Sequence, residues 1–131
     1  MLRVSALLAE EKRACLIVED ETLIAMLIEE AVSDMGLAVM GPVSRISRAL
    51  QLLENESPAC AVLDINVAGE PIHPVAQLLA ERGVPFLFVS GYGDAGLGRD
   101  LPKRRVVEKP FAVPQLQAAI RKLLEEGISR A

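Results

Sequence analysis

Four sets of residues in this chain could do chemistry together, and each stands at the end of a short apolar run. CLIV stops at Glu19-Asp20-Glu21, AVL at Asp64, FLFV at Ser90, and RVVE at Lys109-Pro110. Carboxylates gathered in one place repel and raise one another's pKa unless a cation joins them. Mg²⁺ suits such a set, because it takes one or two carboxylates, keeps several waters and also binds phosphoryl oxygens. A carboxylate can serve as the nucleophile that forms an aspartyl phosphate. Phosphoryl transfer then needs mainly positioning and charge neutralisation. In this reading Asp64 accepts the phosphoryl group, and Glu19, Asp20 and Asp64 hold Mg²⁺. Lys109 neutralises charge, and Ser90 donates a hydrogen bond to a phosphoryl oxygen.

Each ending also has a plainer reading. An acidic triplet is ordinary at a helix N-terminus. A strand often closes on a turn-forming Asp, and Ser-Gly is a common turn start. Their combination, at strand ends that share one edge of an open α/β sheet, favours the site, since ligands bind along that edge. By frequency Lys109-Pro110 is expected trans. A cis bond there would turn the chain sharply and point the lysine into the pocket.

The elements that must position these residues alternate along the chain. Ala14–Val18 is short, continuous and apolar, as a fully buried strand is. Thr22 to Met35 has helical apolar spacing and is followed by Gly36. Leu37–Met40 reads as a strand closed by Gly41-Pro42, and Ser44 to Glu54 as an amphipathic helix. Ala59–Asp64 is the third strand. A loop with Gly69 and Pro71 leads to a helix that ends at Gly83. Pro85–Ser90 is the fourth strand, Arg105–Glu108 the fifth, and Val113 to Glu126 the last helix.

From Gly91 to Pro102 glycines crowd the chain, and each interior glycine costs a helix about 0.8–1 kcal/mol relative to Ala. The fourth helix is therefore expected to be degraded or mobile. Alternation of this kind implies a doubly wound parallel sheet covered on both faces. Residues 1–13 read as an extension, 14–126 as one domain and 127–131 as a tail.

At 131 residues with 51% hydrophobic and 24% charged residues, the chain is long enough for one buried core. A net charge of −4 and few aromatics speak against a nucleic-acid partner. The Lys103-Arg104-Arg105 run reads as a solvated loop. No run approaches a membrane span and no secretory signal is evident, so a cytoplasmic location is expected. Cys15 and Cys60 are expected to be buried, reduced thiols. His73, between two prolines and without metal-ligand partners, reads as a surface residue.

With the motifs LIVEDE (16–21), AVLDIN (61–66), FVSG (88–91) and EKPF (108–111) in place, the chain resembles a response-regulator receiver domain of bacterial two-component signalling. The resemblance implies a flavodoxin-like (βα)5 fold of strand order 2-1-3-4-5. It implies Mg²⁺ on Glu19 and Asp20, with the main-chain oxygen of Asn66, and phosphorylation of Asp64 by a histidine kinase. Lys109 and Ser90 would contact the phosphoryl group. In such domains an aromatic switch residue lies three before the lysine, where this chain has Val106, and the segment from Ser90 to Lys109 is short.

Both departures resemble the single-domain "FAT GUY" receivers of alphaproteobacteria, which often work with HWE-type histidine kinases. Tyr92 is the candidate to replace the missing aromatic by ordering residues 91–102. A kinase or a phosphotransfer protein is the expected partner, and the protein is expected to be a monomer or weak dimer. It would be a phosphoacceptor rather than an enzyme, acting by protein contact without a DNA-binding output.

Three alternatives remain: a haloacid dehalogenase-like phosphatase, a receiver cut from a larger hybrid protein, and a module that has lost phosphorylation. The first needs an Asp nucleophile where Val18 stands, and the last is opposed by the complete Asp64, Lys109 and Ser90 set.

Overall fold

The computed structural model describes residues 13–91 and 101–130, with side chains described as far as residue 126. Strand β1 (Ala14–Val18) leads to helix α1 (Thr22–Asp34), β2 (Ala38–Val43) to α2 (Ile46–Asn55), and β3 (Cys60–Asp64) to a ribbon of two short strands, β4 (Asn66–Val67) and β5 (Glu70–Pro71). Helix α3 (His73–Glu81), β6 (Phe86–Ser90), β7 (Val106–Glu108) and α4 (Val113–Arg130) complete the order. Five strands form a parallel sheet in the order β2-β1-β3-β6-β7. Counting only the sheet strands, this is the expected 2-1-3-4-5.

The strands are apolar on both faces, and alternate residues feed two cores. Leu16, Val18, Ala61, Leu63, Phe86 and Phe88 pack with α2 and α3 on one face. Cys15, Ile17, Cys60, Val62, Leu87 and Val89 pack with α1 and α4 on the other. Phe86 and Phe88 meet edge to face, their centroids 5.5 Å apart. Both cysteines are free, buried and in register on β1 and β3. Burial and the neighbouring thiol push Cys15 up, its hydrogen bond with Cys60 being the largest cause.

Several boundaries differ from those the sequence suggests. β2 does not stop before Gly41-Pro42 but continues to Val43. It lies at the sheet edge, where a proline without an N–H donor is tolerated. The Gly41-Pro42 bond is cis, and Gly41 has φ +103°. A Cβ at Gly41 would lie 2.8 Å from Val43 N and 3.0 Å from Ile17 O, so only glycine fits this close approach.

The loop after β3 is an antiparallel ribbon with positive φ at Ala68 and Gly69, the requirement of a tight two-residue hairpin turn. α4 runs past Glu126 to Arg130, into the expected tail, and Gly127 does not stop it. His73, expected at the surface, is half-buried with its Nδ1 enclosed, because it opens α3 beside the buried Ile72. Residues 92–100, which hold Tyr92 and most of the expected fourth helix, lie outside the described residues, as do 1–12. Lys103 to Arg105 are not helical.

Candidate active site

Parallel register brings the polar endings to one edge. Val18 pairs with Leu63, Asp64 with Val89, and Ser90 with Glu108. The ladder extends into the site itself: Glu19 N–H donates to Val43 O at 3.0 Å, and Lys109 N–H donates to Ser90 O at 2.8 Å. Glu19, Asp64 and Ser90 are consequently buried polar residues, at 2%, 7% and 3% exposure. Lys109-Pro110 is cis, against the expectation from frequency.

Glu19, Asp20 and Asp64 each place a carboxylate oxygen within 4.8 Å of the others. Asp20 is exposed, and its Oδ2 accepts a 2.9 Å hydrogen bond from Ala68 N–H, so the ribbon turn braces one acid of the trio. Asp64 Oδ1 accepts from Asn66 N–H at 3.4 Å. Lys109 Nζ lies 3.0 Å from Glu19 Oε1, 3.0 Å from Glu21 Oε1 and 3.4 Å from Asp64 Oδ2. These groups border a cleft of about 550 Å³ lined by Asp20, Glu21, Asp64, Ile65, Asn66, Ser90, Gly91 and Lys109.

Burial sets the electrostatics. Glu19 is pushed up to about 7, first by desolvation and then by its hydrogen bond with Asp64. Asp64 is also raised, with desolvation the largest cause. Burial alone would lower Lys109, but the Glu19 and Glu21 carboxylates and the charge of Asp64 outweigh it and hold its ammonium above the ordinary range. Glu19, Asp20, Glu21 and Asp64 face one lysine, which leaves an excess of negative charge. All the donors are oxygens, and two are buried and desolvated. That set fits a hard divalent cation of the Mg²⁺ type.

The structure thus gathers Asp20, Asp64, Ser90, Asn66 and Lys109 at one cleft, with Glu19 buried beside Lys109 and within reach of Asp20 and Asp64. Val106 is apart from it, half-buried against the core and paired with Phe88. Tyr92 falls outside the described residues. Glu21 was not singled out as a site residue. Its signal was present as the third member of the acidic triplet, but helix N-terminal charge accounted for it equally well.

Residues 15–121 match the response regulator receiver domain family. The phyllosphere-induced regulator PhyR of Methylorubrum extorquens is 30% identical over 122 residues, covering 90% of this chain and 46% of its own length. This chain spans about half the length of the curated relatives it matches. SdrG of Sphingomonas melonis is 36% identical with a TM-score of 0.73, covering 86% of this chain and 96% of SdrG. The receiver domain of Erythrobacter litoralis PhyR is 30% identical with a TM-score of 0.78, covering 89% and 93%.

Proposed function

This chain belongs to the response regulator receiver domain family, and on that premise we propose that it is a phosphoacceptor in a bacterial two-component phosphorelay. Asp64 takes the phosphoryl group from the phosphohistidine of a kinase or phosphotransfer protein. One oxygen of the Asp64 carboxylate attacks phosphorus, the O–P bond forms, and the P–N bond to the donor breaks. Its electron pair stays on the imidazole nitrogen, and the ring leaves as neutral imidazole because its other nitrogen already carries a proton or the freed nitrogen takes one from solvent. The carboxylate lies at a strand end, so β3 and its ladder fix the nucleophile before the donor arrives.

Glu19, Asp20 and Asp64, with the main-chain oxygen of Asn66, would hold Mg²⁺, which when bound neutralises charge on the phosphoryl oxygens. Lys109 adds a fixed cation on the same side, and the Ser90 hydroxyl donates to a phosphoryl oxygen. Burial supports both roles, because charge is worth more where water is scarce. The observation that carries the proposal is the approach of Lys109 Nζ to Glu19 and Asp64 beside three carboxylates within 4.8 Å.

The likeness to SdrG, 96% of which is covered, supports the single-domain subgroup; in this reading the donor is an HWE-type kinase and output is by protein contact in the cytoplasm. Among the described residues no helix is long and apolar enough to cross a membrane. Val106 in place of an aromatic supports an output that does not use the usual ring movement.

Incubation with acetyl phosphate and Mg²⁺, read by intact mass, tests the proposal. An increment of ~80 Da, one phosphoryl group on a carboxylate, is expected in the wild type and not in Asp64→Asn. A wild type that gains no such mass, or a variant that gains it equally, contradicts the proposal.

A further inference from the structure

Lys109 is held by a carboxylate that phosphoryl transfer does not require. An ammonium has three N–H donors, and three carboxylates surround this one: Glu19 and Glu21 at 3.0 Å and Asp64 at 3.4 Å. Glu21 and Asp64 accept hydrogen bonds from it and line the cleft with it, so a phosphoryl oxygen arriving in the cleft competes with these two for the ammonium. Glu19 is ill suited to leave, since its side chain is wholly buried. Asp64 is the reacting group. The Glu21 side chain is 62% exposed and can return to water at little cost.

The backbone of Glu21 is nonetheless fixed. Its N–H donates to Glu19 Oε2 at 3.1 Å, and its carbonyl accepts from Ala25 N–H at 2.9 Å. Glu21 is the N-cap residue of α1, yet its side chain makes no capping hydrogen bond. The carboxylate that could have capped the helix is turned to the lysine instead. The lysine end of the pair is already immobilised, with only 12% of its side chain exposed. Less ordering entropy therefore opposes this pair than a pair between two free surface chains.

We propose that Glu21 is a positioning residue that shares the Lys109 ammonium with Asp64, and is the partner Lys109 gives up when a phosphoryl group arrives. Glu21 thereby restrains the rate at which Asp64 is phosphorylated. The proposal rests on the reading of Asp64 as phosphoacceptor. Glu21→Gln removes the competing charge and keeps the size of the side chain. The rate of Asp64 phosphorylation by acetyl phosphate with Mg²⁺ is expected to rise roughly two- to five-fold, the range of an exposed ion pair. In a Lys109→Met background the same substitution is expected to change nothing.

A second readout needs no phosphorylation. In ¹⁵N-lysine spectra of the unmodified protein, the Lys109 ammonium signal should be protected from water exchange in the wild type and exchange faster in Glu21→Gln. An equal rise in both backgrounds would show simple charge repulsion of the donor and overturn the proposal. So would a fall in rate, or an ammonium signal indifferent to Glu21. A wild type that takes no phosphoryl group fails the underlying reading, while the ammonium signal still judges the tether.

Discussion

The two ends of the sheet carry the same kinds of charge and use them in opposite ways. At the N-terminal ends of β6 and β7, the Arg104 guanidinium lies 4.8 Å from the Phe86 ring centroid, and Arg105 meets Glu126 at 3.6 Å with 37% and 50% of the two side chains exposed. The Arg105–Glu126 pair is matched and partly exposed to solvent. At the C-terminal ends, one lysine with 12% of its side chain exposed faces Glu19 at 0% and Asp64 at 9%. There the charges are buried and unequal. A surplus of desolvated carboxylate is costly to a fold, and the proposed cation and phosphoryl chemistry would offset that cost at this one edge. The contrast lies in burial and in charge balance, since both ends pair a basic side chain with carboxylates.

The largest effect expected is on Lys109→Met. In EDTA at pH 8 it strands Glu19 and Asp64 without their cation. Breaking a buried pair from one side costs about 3–5 kcal/mol, and denaturant unfolding would read the loss. Asp64→Asn relieves repulsion and should unfold later than the wild type under the same conditions. If Lys109→Met is neutral there, the two edges do not differ in the way described.

The next effect is on pH. The folded pKa of Glu19, about 7, lies above its ordinary 4.5, so the folded state binds that proton more tightly. The stability this provides is fully present below about 4.5 and is lost as pH rises through about 7. The melting temperature in EDTA should therefore fall between pH 5 and pH 8, and saturating Mg²⁺ should flatten the fall. A melting temperature that rises over this window would contradict the assignment.

The smallest effect is at the other edge. Arg105→Ala should cost at most about 1 kcal/mol, as exposed pairs do. A larger loss would mean that the N-terminal edge also depends on its charges.

The C-terminal edge was legible in the sequence because Glu19, Asp64 and Ser90 each follow an unbroken apolar run, and Lys109 closes the short strand Val106–Glu108. A strand buried on both faces leaves no periodicity to misread, and its polar ending marks where the sheet stops. The same property hid the course of β2. Gly41-Pro42 looked like a stop, yet an edge strand can carry a proline because its outer N–H groups have no partner to lose. The ribbon was hidden for a different reason. Its turn is Ala68-Gly69, and an alanine at φ 53° gives no sequence signal of a tight hairpin. The link from Ala68 N–H to Asp20 crosses from the β3 loop to the end of β1, so only the folded backbone shows it. Glu21 was visible but ambiguous, since the same carboxylate at the same place could cap α1, neutralise its dipole or pair with a distant lysine.

Amide chemical shifts on adding Mg²⁺ and beryllofluoride, a phosphoryl mimic, test the central claim most directly. The largest changes are predicted at Asp64, Asn66, Ser90, Gly91 and Lys109, with residues 103–105 little moved and the response abolished in Asp64→Asn. Changes centred on residues 103–105, or a response that survives in Asp64→Asn, would contradict the account.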